Sequence, residues 1–202
     1  MMMSYRSITL CVLLALAFIV GPVSFSVDAQ LKSAHGERTG LSGGEGANFT
    51  LTDQDGRPFQ LNGLRGRVVL LFFGYTSCPD ACPTTLSKLS KVYKLLGPDR
   101  DRVVTLFVSV DPGRDTPRVL KDYLKYFRVN SVGLTGTKEE IDRVVNQYGA
   151  RYEIEKSDSA TGYHINHSTD LYLIDQKGEV AQRFKYEGGT KEIAEAVRRL
   201  IH

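Results

Sequence analysis

Val68-Val69-Leu70-Leu71-Phe72-Phe73-Gly74-Tyr75-Thr76-Ser77-Cys78-Pro79-Asp80-Ala81-Cys82-Pro83 is an apolar run that passes directly into a loop holding two cysteines. The run from Val68 to Phe73 is short and unbroken, which suits a strand buried on both faces better than a helix. After Pro83, Leu86, Leu89, Tyr93 and Leu96 fall at helical spacing, and Gly97-Pro98 is the stop signal. The cysteines therefore lie at a strand-to-helix junction. If both occupy one helical turn, their α-carbons are about 6 Å apart, within the range a disulfide tolerates. The positive end of the helix dipole lowers thiol pKa values and favours thiolates, the form needed both for nucleophilic attack and for metal ligation. Position alone leaves three uses open: a structural disulfide, a redox pair, or half of a soft-metal site.

Outward from this segment the pattern is that of one α/β domain. Phe49-Thr50-Leu51-Thr52, a turn at Asp55-Gly56 and Phe59-Gln60-Leu61 read as an N-terminal hairpin. Val103 to Val110 is a second buried strand. Asp115-Thr116-Pro117 reads as a cap and first-turn proline opening a helix that carries Leu120, Leu124 and Phe127. Thr137 and Glu140 have capping-box spacing ahead of Ile141, Val144, Val145 and Tyr148, and Gly149 follows. Leu171 to Ile174 and Val180 to Tyr186 flank the turn 175–178 as a closing hairpin, and a last helix carries Ile193, Ala194, Val197, Leu200 and Ile201. Buried strands joined by helices, then a hairpin and a helix, fit a thioredoxin-like α/β sandwich enlarged by an inserted helix and strand region.

The chain has 202 residues, 42% hydrophobic content and a formal charge of +3. So mild a charge gives no argument for nucleic acid as a partner. Arg6 precedes an uncharged stretch from Ile8 to Val27, so residues 1–29 read as a signal peptide or a hydrophobic membrane-anchor helix, with Cys11 inside the apolar part. The positive flank stays inside, which places the domain on the periplasmic face of the inner membrane, or in the periplasm after cleavage. Residues 30–46, rich in Gly, Ser and charge, read as a flexible tether, and the domain occupies 47–202.

Of the four histidines, His35 lies in the tether and His202 ends the chain. His164 and His167 lie in Tyr163-His164-Ile165-Asn166-His167-Ser168, just before the strand from Leu171. In a thioredoxin-like fold the loop before that strand approaches the cysteine loop, so His167 can join the two thiols. Two thiolates and one imidazole suit Cu(I), and hold Cu(II) when a further ligand or water joins. Thiol–disulfide enzymes of the thioredoxin class resemble one another in having a cis-proline in that loop and two residues between their cysteines. Here no proline follows Pro117, and three residues intervene. All three methionines are at positions 1–3, which excludes a Met-rich copper site.

Cys-Pro-Asp-Ala-Cys-Pro at 78–83, Ser109-Val110-Asp111-Pro112-Gly113-Arg114-Asp115-Thr116-Pro117, and His167-Ser168 followed by Tyr172-Leu173-Ile174-Asp175 resemble the Sco (SenC) copper-binding proteins of cytochrome c oxidase assembly. The resemblance implies a tethered thioredoxin-like domain that binds copper, as Cu(I) or Cu(II), through Cys78, Cys82 and His167. Cys78 and Cys82 would also form its redox disulfide. It implies as partner cytochrome c oxidase subunit II, whose dinuclear copper centre would receive copper or have its cysteines kept reduced. Other periplasmic copper chaperones and thiol reductants are further implied partners. The alternatives are a membrane-tethered thiol–disulfide oxidoreductase and a redox or copper sensor; no catalytic residue is assigned. The family commonly has Asp immediately before its histidine, whereas this chain has Asn166, which can orient a ring by hydrogen bonding but adds no negative charge. Asp80 reads as a helix cap or a tuner of the thiols. Asp111, Arg114 and Asp115 form either a local ion-pair network or a docking surface, and Tyr75 and Tyr163 read as packing residues.

Overall fold

The computed structural model describes residues 48–156 and 162–202. The expectations for residues 1–29, the tether, Cys11 and His35 lie outside these. Among the described residues no helix is long and apolar enough to cross a membrane.

The run 68–74 is β3 (Val68–Gly74), following the hairpin of β1 (Thr50–Asp53) and β2 (Pro58–Gln60). Each residue of β3 is buried because both faces are covered. Val68, Leu70 and Phe72 join a core with α1 (Ala81–Leu96), α2 (Pro117–Leu124) and α4 (Thr190–Ile201). Val69, Leu71 and Phe73 join another with α3 (Lys138–Gln147). This is the period-2 alternation of a strand, with apolar side chains to spare on both sides.

β4 (Val103–Ser109) and β5 (Ser131–Thr135) continue parallel from β3, while β8 (Leu171–Ile174) and β9 (Val180–Phe184) close its other side antiparallel. The seven-stranded order is β2-β1-β5-β4-β3-β8-β9, so β3 lies inside the sheet, and its C-terminal end points at the cysteine loop. The mixed sheet covered by helices on both faces is thioredoxin-like.

α1 begins earlier than the apolar spacing suggests, at Ala81, so that Cys82 and Pro83 both lie in its first turn. Proline is tolerated there because its missing N–H has no helical partner to bond. Thr116 caps α2 with Pro117 in its first turn, and Thr137 and Glu140 form the reciprocal capping box of α3. Gly149, at φ 61°, ends α3 in the left-handed region that a side chain disfavours.

Three strands lie where sequence reading finds none. β5 is short and interrupted by Gly133, where a Cβ would lie 2.8 Å from a Leu124 methyl carbon. β6 (Tyr152–Lys156) and β7 (Tyr163–His167) form a separate antiparallel pair, so the segment expected as a loop before β8 is itself a strand.

Candidate metal centre

Cys78 is held in the loop by its N–H, which donates to the Tyr75 carbonyl at 3.2 Å, and Cys82 follows in the first turn of α1. Both are free thiols, Cys82 buried and Cys78 half-buried. Gly74 is what lets Cys82 in. A Cβ at that position would lie 2.5 Å from the Cys82 sulfur and 2.7 Å from a ring carbon of Phe107.

The imidazole arrives on β7. Alternation along the strand turns Tyr163, Ile165 and His167 inward and leaves His164 and Asn166 exposed. His167 Nε2 lies 3.7 Å from Cys82 Sγ, and its Nδ1 lies 2.9 Å from the Ser168 carbonyl. A carbonyl only accepts, so Nδ1 carries the proton and donates it, leaving the Nε2 lone pair aimed at the sulfurs. Ligating histidines commonly have this arrangement, with the far nitrogen bonded to a carbonyl. His164 instead lies opposite Glu155, 2.8 Å from its carboxylate. His202 faces Asp99 at 3.3 Å. The donor atoms of Cys78, Cys82 and His167 all lie within 4.8 Å of one another, and among the described residues they are the group of three that could hold a metal.

The thiols are unequal. A hydrogen bond from Cys82 brings the Cys78 thiol down to about 3, against the cost of burial and with help from the N–H groups of Cys82 and Asp80. Cys82 is pushed strongly up by keeping the shared proton, by burial and by the neighbouring Cys78 charge. One thiolate and one thiol result, the charge on the more accessible sulfur.

Asp80 occupies the cap position of α1, but its side chain accepts from the Thr84 hydroxyl at 3.1 Å and caps no backbone N–H. Asn166 shows no hydrogen bond to the imidazole; the Ser168 carbonyl takes that place. Asp115, fully buried, accepts from the Thr76 N–H at 2.9 Å, the Thr76 hydroxyl at 2.6 Å and the Ser109 hydroxyl at 2.7 Å. Burial pushes its carboxyl up in spite of these bonds. It thereby ties the loop after β4 to the cysteine loop. Asp111 and Arg114 form an ion pair and both reach Tyr163. Sequence reading passed over Gly74, Thr76 and Ser109; only Gly74, a glycine closing an apolar strand, carried a local signal of close approach. A cleft of about 810 Å³ adjoins His167, between α3 and the β6–β7 pair.

A thioredoxin-like domain with two thiols and an imidazole converging at the end of its central strand belongs to the class of soft-metal and thiol-redox proteins. The comparisons make this particular. The SCO1/SenC family model matches residues 38–202, and the chain belongs to that family. It is 38% identical over 154 residues to a SCO2-like protein of Rickettsia felis, covering 76% of this chain and 75% of the relative. ScoI of Bradyrhizobium japonicum, solved with copper bound, superposes with a TM-score of 0.70 at 37% identity, over 77% of this chain and 98% of that one. BsSco, a member of the Sco family of cytochrome c oxidase assembly proteins in which a disulfide switch was identified, superposes with a TM-score of 0.62 at 26% identity, over 78% of this chain and 93% of that one.

Proposed function

We propose that this protein binds one copper ion through Cys78, Cys82 and His167 and serves cytochrome c oxidase assembly. It delivers copper to the dinuclear centre of oxidase subunit II or keeps that subunit's cysteines reduced, working from the periplasmic face of the membrane that holds its N-terminus. The observation that carries this reading is the convergence of two sulfurs and one imidazole nitrogen within 4.8 Å. Soft sulfur selects Cu(I), and the nitrogen completes a three-donor site that also accommodates Cu(II) with a further ligand. The copper-bound ScoI relative supports the same assignment.

The inequality of the thiols suits this work. Cys78 is ready to ligate as a thiolate, and Cys82 releases its proton as the metal enters. The same inequality favours a second reading, thiol–disulfide exchange, in which the accessible thiolate attacks and the buried thiol resolves.

Anaerobic Cu(I) titration tests the first reading. We expect one copper per chain, a severe loss of affinity in Cys78→Ser, Cys82→Ser and His167→Ala, and little change in His164→Ala, whose ring is engaged with Glu155. Equal losses in the two histidine variants would remove His167 as the imidazole ligand. Reduction of insulin disulfides at thioredoxin-like rates, unaffected by copper, would put the second reading first.

A further inference from the structure

The thiols and the imidazole stand on different sheets. Cys78 and Cys82 follow β3, whereas His167 ends β7, which among the described residues pairs only with β6. Among the described residues no ladder joins the two sheets, so beyond the short connection from His167 to Leu171 of β8, side-chain contacts set the distance from imidazole to sulfur. They converge on one residue. Arg114, in the loop after β4, pairs through Nε with Asp111 and donates from Nη1 to the Tyr163 carbonyl at 3.1 Å. Its guanidinium lies 3.7 Å from the centroid of the Tyr163 ring and 5.7 Å from that of Tyr75. The Tyr163 hydroxyl closes the loop by donating to Asp111 at 2.8 Å. Tyr75 hydroxyl then accepts from the Ile165 N–H at 3.3 Å, and its ring meets His167 edge-on at 5.7 Å. All three inward residues of β7 are thus held by Arg114 or by the ring beside it.

We propose that Arg114 is the positioning residue of the imidazole, clamping β7 with Asp111 so that His167 faces the two sulfurs. This rests on the copper reading above. A planar fork bonded to a carboxylate and a carbonyl while stacked on a ring fixes direction as well as charge, which an ammonium does not do. Loss of such an outer partner typically costs roughly 10- to 100-fold in metal affinity.

The test uses the full chain under anaerobic Cu(I) competition, with X-ray absorption to count nitrogen and sulfur around copper. Arg114→Gln with Asp111→Asn removes both charges at nearly constant volume. We expect about a tenfold loss of affinity, a weakened nitrogen contribution with both sulfurs retained, and, in combination with His167→Ala, no loss beyond that of His167→Ala alone. A purely structural role would leave the two losses additive. Arg114→Lys, which keeps the charge and loses the fork, is the second variant and decides the matter if the first does not fold. It should show the same loss and the same non-additivity, and wild-type affinity with nitrogen retained would overturn the proposal.

Two controls separate the proposal from the reading beneath it. Undiminished copper binding by Cys82→Ser would defeat the reading itself; loss there with unaffected Arg114 variants defeats the clamp alone. In the metal-free chain, hydrogen exchange at the Ile165 amide should accelerate in the Arg114 variants while that of β3 does not. An unchanged Ile165 amide would also overturn the clamp.

Discussion

At Gly74 a side-chain carbon would lie 2.5 Å from the Cys82 sulfur, so the strand must pass without one. That close approach buries Cys82, which keeps the proton it shares with Cys78, and the charge goes to Cys78. A thiol brought down to about 3 is a thiolate at every pH above that, and thiolate is the form that alkylates. In the reduced, metal-free protein, iodoacetamide should modify Cys78 at nearly the same rate at pH 5 and pH 8, the rate falling only as pH drops toward 3. Cys82 should stay unmodified. Mass spectrometry of timed reactions checks both, and a Cys78 rate that climbs about tenfold per pH unit, as an ordinary thiol's does below its pKa, would contradict the assigned charge.

Among the elements, α3 shows local and tertiary roles separating. Its first turn is closed by Thr137 and Glu140, the Glu140 N–H donating to the Thr137 hydroxyl at 3.2 Å and the Thr137 N–H to the Glu140 carboxylate at 2.8 Å. Thr137→Ala should cost about 1 kcal/mol, a fall in Tm of roughly 2–4 °C for a chain of this size. Copper affinity should not change, because α3 supplies no ligand and the capping box holds no part of the cysteine loop. Thermal melts with parallel copper titrations test this, and a coupled loss of affinity would show that α3 sets the site. The β6–β7 pair is the opposite case. Its own sequence is short and largely polar, and its place depends on Ile165 in the core, on the Tyr152 hydroxyl donating to Asp142 at 2.6 Å, and on the contacts of Tyr163.

For the whole molecule, the proposed membrane attachment confines a partner search to a surface and raises effective concentration, so weak docking suffices for transfer. Loss of the protein should lower assembled copper-dependent cytochrome oxidase, most when copper is scarce, and Cys82→Ser should not restore it. A version lacking residues 1–29 and exported by a cleavable signal should restore activity only partly at native expression. Oxidase activity and subunit content in membranes measure this. Full rescue by the soluble version would make anchoring dispensable, and full rescue by Cys82→Ser would take the two-thiol site out of the mechanism.

The amino-acid sequence by itself determined what acts over a few residues. The unbroken apolar run of β3, the helical spacing after Pro83, the Thr116-Pro117 and Thr137/Glu140 helix starts and the paired cysteines are all local patterns, and the structure bears out these elements. It also carried three motifs specific enough to point to the family and to His167. Tertiary structure decided what depends on residues far apart. Cys82 and His167 are 85 positions apart and meet at 3.7 Å only because β7 turns every second side chain inward. β5 was hidden because Gly133 breaks the apolar pattern where α2 packs close, and β6 and β7 because short, largely polar strands show little periodicity. Asp115 and Arg114 read from the sequence as one charged cluster. Burial separated them, turning Asp115 toward the cysteine loop and Arg114 toward the histidine strand, since a carboxylate and a guanidinium removed from water must each find partners wherever the fold supplies them.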